Sequence, residues 1–448
     1  MKNKLKEIKS EKQKSVGYKR LAMLFDDENF TELDSFVKSG NIYSEVVSGF
    51  GYVNGCPVYA FSQNIDSDGA SVSKSQISKI LKVYNLAAKT GVPIVGLYDS
   101  VGARLNEGNE LLSLYSEWLK ISNDISGVVP QISIVLGTCY GTSSIIASNA
   151  DILLMIKNAQ IGIDISGEKS SREYVETHGI SHIVCNDERE AILKTREIVK
   201  VLPSNNLEVP AILEKSVSNF DVSIKENCDI MKIFDNDSFI EFQSRFGQAF
   251  TIGLAKLEGK TVGAILSNFN CNDGIIDVDS CSKVSRFIRF CDAFSIPILT
   301  FINAKGFSSL REACKFSSSY SEATTIKITI ITGEVYGPLY ISLAGNGVNS
   351  DIVLAWPNTI VSMLPPETGA IIMYQDDLKS SSDPIKDRQL IIDKYKKVDA
   401  SAVLAANGGF VDEIIEICDT KNKIVSYLDM LSGKRVSTLP KKHSNMQL

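Results

Sequence analysis

The chain predicts an α/β fold written twice, and three pairs of segments carry that prediction. Residues 131–142 read QISIVLGTCYGT and residues 327–340 read KITIITGEVYGPLY; each has a β-branched strand, a Gly, two variable residues and then Tyr-Gly. YVNGCPVYAFSQN at 52–64 pairs with KLEGKTVGAILSNFN at 256–270, and in each an Asn-Gly or Glu-Gly joins two strand-like runs, which predicts a hairpin. SKSQISKILKVYNLAAKTGVPIVGLYDS matches SCSKVSRFIRFCDAFSIPILTFINA, with apolar residues at helical spacing leading to a proline (Pro93 or Pro297) and a buried strand.

The elements then follow in the same order in both copies. After the hairpin, helix and strand comes a Gly-containing segment, VGARLNEG or KGFSSL, then a second helix, then the strand with its Tyr-Gly turn. A strand-helix-strand-helix-strand unit calls for a mostly parallel sheet covered by helices, with ligands at the carboxyl ends of the strands. The turn-rich stretch LPSNNLEVPAILEKSVSNFD separates the copies and places a boundary near residue 215, giving domains 1–215 and 216–448. A chain of 448 residues, 44% apolar and 22% charged, is long enough for two such cores.

Composition narrows the chemistry. A net charge of −6 argues against a nucleic-acid groove, which needs clustered positive charge. Nine scattered cysteines, with no Cys-x-x-Cys, read as reduced thiols of a cytoplasmic protein. The basic N-terminus lacks the apolar core of a signal peptide, and no segment reaches membrane-spanning length. His178 and His182 stand four apart, but Gly179 between them weakens a helix and no third ligand is evident, so a structural or surface role is expected and no metal. No Ser-His-Asp or Cys-His pattern supports nucleophilic hydrolysis. What remains is backbone geometry. A strand ending in a tight Gly turn before a helix aims peptide N–H groups at one point and can hold an oxyanion, and two such turns suit a reaction with two oxyanions. The plainer reading makes Gly141 and Gly337 turn residues of buried strands and nothing more.

From Arg20 to Leu448 the chain resembles the carboxyltransferase subunits of biotin-dependent acyl-CoA carboxylases and decarboxylases, such as the propionyl-CoA carboxylase β subunit. The resemblance runs through RLAMLFDDENFTELD, GVPIVGLYDSVGARLNEG, PQISIVLGTCYGTSS, FIRFCDAFSIPILTFINAKGF, SEATTIKITIITGEVYG, AWPNTIVSM, GFVDEII and KKHSNMQL. It implies two tandem crotonase-like (ββα-superhelix) domains and an active site shared between subunits of a homo-oligomer, dimer to hexamer. The implied reaction moves a carboxyl group between biotin, carried by a separate biotin carboxyl carrier protein, and a short acyl-CoA. A biotin carboxylase, or the membrane subunit of a decarboxylase running the transfer in reverse, would be the partner. By motif, Gly141 and Thr142 would hold the thioester enolate, and Gly337 and Leu339 the ureido oxygen of biotin. Gly102, Ala103, Arg104 and Tyr140 would line the acyl-CoA side; Gly306, Phe307, Pro338 and Ile341 would line the biotin side. Met231-Lys232 is not a biotinylation site, because Ile233-Phe234 follow and lead into the second domain.

Departures from the family pattern bear on activity. The family's Gly-Gly-Ala is Gly337-Pro338-Leu339 here, and proline has no N–H to donate. Losing one oxyanion donor costs about 3 kcal/mol of transition-state stabilisation. Val101 replaces a Gly before Gly102-Ala103-Arg104, and Ile341 stands where many members have an acidic residue. The stretch after Lys157 is shortened, and the Gly-Gly-Ile-Ile-Arg-His segment expected after Gly306-Phe307 is essentially absent. A cleft without that cover is open to water. These features keep a non-catalytic scaffold paralogue as the other expectation.

Overall fold

The computed structural model describes residues 8, 10–39, 42–43, 45–164, 167–213 and 230–445. It divides into two compact units, Met1–Ala211 and Ile212–Leu448. The boundary expected near 215 lies outside the described residues.

In the first unit the N-terminal helix α1 (Val16–Leu24) leads to the edge strand β1 (Phe30–Leu33) and to the hairpin β2 (Val46–Val53) and β3 (Cys56–Gln63). The turn falls at Asn54-Gly55, both with positive φ, as an Asn-Gly hairpin requires. Helix α2 (Lys74–Thr90) starts at Ser73, whose hydroxyl caps the Gln76 N–H, and ends at Gly91 in the left-handed region. Pro93 then precedes the fully buried strand β4 (Ile94–Tyr98). Helix α3 (Glu110–Asp124), strand β5 (Gln131–Val135), strand β6 (Thr138–Tyr140), helix α4 (Thr142–Ser148), strands β7 (Ile152–Ile156), β8 (Gln160–Gly162) and β9 (Ile183–Cys185), and helix α5 (Glu188–Val201) follow. The sheet order is β1-β2-β3-β4-β5-β7-β9, antiparallel through the hairpin and parallel from β3 onward.

The second unit repeats this plan. Strands β10 (Ile240–Phe242), β11 (Phe250–Leu257) and β12 (Lys260–Ser267) form its antiparallel edge, with the hairpin turn at Glu258-Gly259. The short strand β13 (Ile275–Ile276), helix α6 (Val278–Ala293), β14 (Ile298–Ile302), the short strand β15 (Gly306–Phe307), helix α7 (Leu310–Glu322), β16 (Lys327–Ile331), β17 (Glu334–Tyr336) and helix α8 (Gly337–Leu343) come next. Strands β18 (Ile352–Ala355), β19 (Ile360–Ser362) and β20 (Glu413–Ile414) complete the set, and the sheet order is β10-β11-β12-β14-β16-β18-β20. Only Ser308 and Ser309 separate β15 from α7, so the connection is as short as the sequence implied. Met231-Lys232 lies in a short 3-10 turn, Ile230–Ile233, whose last residue is buried.

Both tandem strands of the repeat break at their glycine. β5 and β16 stay in the large sheets, whereas β6 and β17 leave them to pair in parallel with β8 and β19, with Tyr140 opposite Gly162 and Tyr336 opposite Ser362. The first core packs Trp118 against Tyr98, Phe61, Tyr84 and Tyr115. The second gathers Leu299, Phe301, Ile328, Ile330 and Leu354 between the sheet and the C-terminal helix Thr420–Leu431.

A shared device fixes the first helix of each unit. Lys79 of α2 donates to the carbonyl of Val46 at 2.8 Å, and Lys283, six residues past its own helix cap like Lys79, donates to Phe250 at 2.8 Å, Phe246 at 2.9 Å and Gln243 at 3.0 Å. Val46 and Phe250 each open the first strand of a hairpin, so the same bond closes both copies. Burial pulls both ammonium groups down to about 8. A folded-state pKa below the free-lysine value of about 10.4 means that, above about pH 8, the unfolded chain binds protons the folded chain has released. Stability therefore rises with pH from about 8 toward about 9.5, and Lys283→Met should lose its share of that rise. The same variant should be about 3 kcal/mol less stable at pH 7.5, because three buried carbonyls lose their donor. Urea unfolding of both proteins across that range measures both effects.

Candidate active site

The two Tyr-Gly turns sit at corresponding places, past the carboxyl ends of β5 and β16, but their backbones differ. Tyr140 is the last residue of β6, and Gly141 forms the helix cap of α4 with φ 63° and ψ −132°. A side chain there would be strained by that φ, although the space in front of it is open. In the second unit α8 is already helical at Gly337, and the extended cap is Tyr336, with φ −122° and ψ 151°. A Cβ on Gly337 would lie 2.5 Å from the carbonyl oxygen of Met363, so glycine is required there by close approach.

The donor inventory corrects part of the sequence assignment. The Gly141 N–H donates to the Gly162 carbonyl at 3.0 Å and holds β6 on β8, so it is not available to a ligand. The available groups are the N–H of Thr142 and Ser143, the first two helical residues, which have no acceptor within α4. Ser143 was not singled out from sequence, and its place in the first turn is the signal that would have found it. Its hydroxyl meets the Tyr115 hydroxyl at 3.2 Å, and the Ser144 hydroxyl donates to the Gly141 carbonyl at 2.7 Å. Tyr140 is not free either, since its hydroxyl donates to Gln160 across the β6–β8 pair.

In the second turn Pro338 occupies the second helical position, where an N–H would in any case lack an intrahelical partner. The proline therefore leaves the helix intact and removes only an outward-facing donor. Gly337 and Leu339 retain theirs, and neither N–H has an acceptor among the described residues. The Leu339 side chain is fully buried, which fixes the start of α8, while Ile341 on the same helix is 63% exposed. The Tyr336 hydroxyl donates to Glu334, and burial, together with that carboxylate, pushes the phenol far above its ordinary range.

The loops beside the turns behave differently from the expectation for two residues. Gly102 has φ 113° and its carbonyl accepts the Val72 N–H at 2.8 Å; Ala103 bridges to Val72, and the Arg104 N–H donates back to Val72 at 2.9 Å. The Arg104 guanidinium lies 2.8 Å from Glu45, 2.7 Å from Asp68 and 3.7 Å from Glu107. Three carboxylates neutralise it, so Arg104 braces the loop and presents no spare positive charge to a phosphate. Gly306 and Phe307 pair with Ile275 and Ile276, and their strand packs against α8. The Phe307 ring, however, meets Phe316 edge-on at 5.5 Å and turns into the unit. The histidines are structural: His182 Nδ1 accepts the Leu153 N–H at 3.0 Å, and the His178 ring stacks on Tyr174 at 3.8 Å.

Each Tyr-Gly turn thus leads into a short helix whose first N–H groups have no intrahelical acceptor, and each unit exposes apolar residues on or near it: Ile145 and Ile163 in the first, Ile341 and Met363 in the second. Such an arrangement can hold an oxyanion beside an apolar or thioester group without any protein acid or base.

The chain is similar to known proteins along nearly its whole length. The methylmalonyl-CoA decarboxylase α subunit of Propionigenium modestum is 33% identical, over 97% of this chain and 93% of that protein. The propionyl-CoA carboxylase carboxyltransferase subunit of Haloferax mediterranei is 30% identical, over 98% of this chain and 94% of its own length. Among solved structures, transcarboxylase 12S, described as a hexamer assembly with methylmalonyl-coenzyme A and methylmalonic acid bound, superposes with a TM-score of 0.90 at 28% identity, over 98% of this chain and 94% of that one. The family model for the carboxyl transferase domain matches residues 9–446. With two repeated units, two helix starts and that match across nearly its whole length, the chain belongs to the carboxyl transferase domain family and is built from two crotonase-like domains.

Proposed function

We propose that the chain is the carboxyltransferase subunit that moves a carboxyl group between carrier-bound biotin and a short acyl-CoA. The observation that carries this reading is the pair of helix starts with unengaged N–H groups, one in each unit, within a chain that matches the family from end to end. Biotin on a separate carrier protein would supply both the carboxyl group and the base for the α-proton. Thr142 and Ser143 hold the thioester oxygen as it becomes an enolate, and their fixed orientation supplies stabilisation that grows as charge develops. Gly337 and Leu339 do the same for the ureido oxygen, with one donor fewer than the family turn because of Pro338. The Gly337 and Leu339 N–H groups, which have no acceptor among the described residues, fit the oxygen of a urea.

The decarboxylase relative favours a second reading, the same transfer run from a malonyl-type CoA toward biotin. Incubating the isolated protein with a biotinylated carrier and labelled acyl-CoA or malonyl-type CoA tests both directions. Transfer in neither would leave the scaffold reading. The biotin carboxylase or membrane subunit that would complete the assembly is part of the proposal, as is a cytoplasmic location. The location is supported by the eight described cysteines being unpaired. Among the described residues no helix is long and apolar enough to cross a membrane.

Three outcomes are expected. Thr142→Pro removes one N–H at a helix position that accepts proline, and should lower transfer about a hundredfold while leaving the fold unchanged by circular dichroism. Pro338→Gly restores a donor in the second turn and should raise transfer by about ten- to a thousandfold, with the gain in rate rather than in acyl-CoA affinity. The exposed apolar residues beside both turns call for cover, so light scattering at micromolar concentration should find a dimer or larger; a strict monomer would contradict the shared-site architecture.

A further inference from the structure

Arg20 lies on α1, outside both turn constellations, yet only 3% of it is exposed. Its guanidinium is gripped on two sides: Nη2 donates to Asp99 Oδ2 at 2.8 Å and Nε donates to Glu188 Oε2 at 3.1 Å. Asp99 follows directly on β4, is itself buried, and donates its N–H to Gln63 Oε1 at 2.8 Å. Its other carboxylate oxygen is pressed against the glycine at which the repeat strand breaks; a Cβ on Gly137 would lie 1.9 Å from Asp99 Oδ1. The next residues lock the same contact. The Ser100 N–H donates to Thr138, the Thr138 hydroxyl donates to Ser100, and the Gln160 N–H donates to the Gly137 carbonyl, each at 2.8 Å. From Gly137 the chain runs three residues along β6 to Tyr140 and then to Gly141 and the donors of α4.

The second unit solves the same problem without charge. Asn303 stands in the place of Asp99, a Cβ on Gly333 would lie 2.2 Å from its Oδ1, and that oxygen accepts the Glu334 N–H at 2.8 Å. A neutral amide needs no counter-ion, whereas a buried carboxylate left alone is strongly unfavourable. The charged version in the first unit therefore needs Arg20 in a way the second unit does not.

We propose that Arg20 is a positioning residue for the acyl-CoA turn. It fixes the Asp99 carboxylate against Gly137, which sets where β6 leaves the sheet and hence where the Thr142 and Ser143 N–H groups point. Its catalytic consequence rests on the function proposed above; its positional consequence does not.

The test uses the full chain in three forms: wild type, Arg20→Met, and Arg20→Met with Asp99→Asn, which installs the neutral arrangement of the second unit. Hydrogen exchange is read in residues 136–148, with 152–156 and 332–345 as references. Arg20→Met should speed exchange about tenfold in 136–148 and leave both references within about twofold, and the double variant should return to within about threefold of wild type. In the transfer assay the single variant should lose about tenfold in kcat with acyl-CoA KM within about threefold, since the donors act on developing charge. Faster exchange throughout the first unit, no change in 136–148, or a double variant no better than the single one would overturn the proposal. Wild-type protein without transfer would sink the functional reading alone, and the exchange data would still decide the positioning role. Should Arg20→Met not accumulate as folded protein, Arg20→Lys, which keeps the charge but not the fork between two carboxylates, is read over the same segment.

Discussion

The contact on which both sites depend is the one between a glycine and the polar residue that ends the neighbouring strand. Gly137 against Asp99 and Gly333 against Asn303 are approaches that no side chain would permit. Because the backbone comes so close, the repeat strand cannot continue straight along the large sheet. It turns out at the glycine, pairs with a short parallel strand, and only then starts a helix. The helix starts are placed by this detour, since a strand that stayed in register would keep its N–H groups inside the sheet ladder. The sequence Gly-x-x-Tyr-Gly is thus a geometric unit in which the first glycine releases the strand and the second begins the helix.

Much of the fold was legible in the chain because it is written twice. Hairpin turns at Asn54-Gly55 and Glu258-Gly259, helix caps at Ser73 and Asp277, and prolines before β4 and β14 all lie where local chemistry demands them. The antiparallel edge strands β1 and β10 carried no such punctuation, and their pairing follows from the hairpins beside them. The sites were half legible. Tyr-Gly marked both turns, but which N–H groups remain available depends on tertiary pairing. Gly141 loses its donor to Gly162, a partner twenty-one residues away that no local pattern announces. The partners of Arg104 were equally illegible, since only the fold brings Glu45, Asp68 and Glu107 around its guanidinium. Gly306 and Phe307 form β15 just past the end of β14, and Ile341 lies on α8.

The two turns are not interchangeable copies. In the first, the glycine is a left-handed cap whose N–H is engaged, so the donors are the next two residues. In the second, the helix begins one residue earlier, with the glycine itself as first donor. A proline one position after Gly141 would take a donor from the first hole outright. At 338 it falls between two donors that survive, and its fixed φ suits a helical first turn. The proline at 338 thus sits inside a helical first turn that tolerates it, with the Gly337 and Leu339 N–H groups left on either side.

Charge follows the same asymmetry. The first unit surrounds its turn with ionised groups: Arg20, Asp99 and Glu188 beneath it, and Arg104 with three carboxylates beside it. The second places the neutral Asn303 against its glycine, with the Asn303 N–H donating to Ser267, and its charges are Glu334, which accepts from Tyr336, and Lys305, paired to an exposed Asp273. A site that must stabilise an enolate gains from rigid surroundings, because preorganised dipoles act without reorganising as charge appears. Ion pairs that are buried and multiply hydrogen-bonded supply that rigidity at a cost in desolvation. A site that receives a urea on a long tether has less need of it, since the incoming group can adjust. Under the function proposed above, the multiply bonded Arg20, Asp99 and Glu188 give the first turn that rigidity, whereas the neutral Asn303 makes the matching contact in the second turn without a buried ion pair to desolvate.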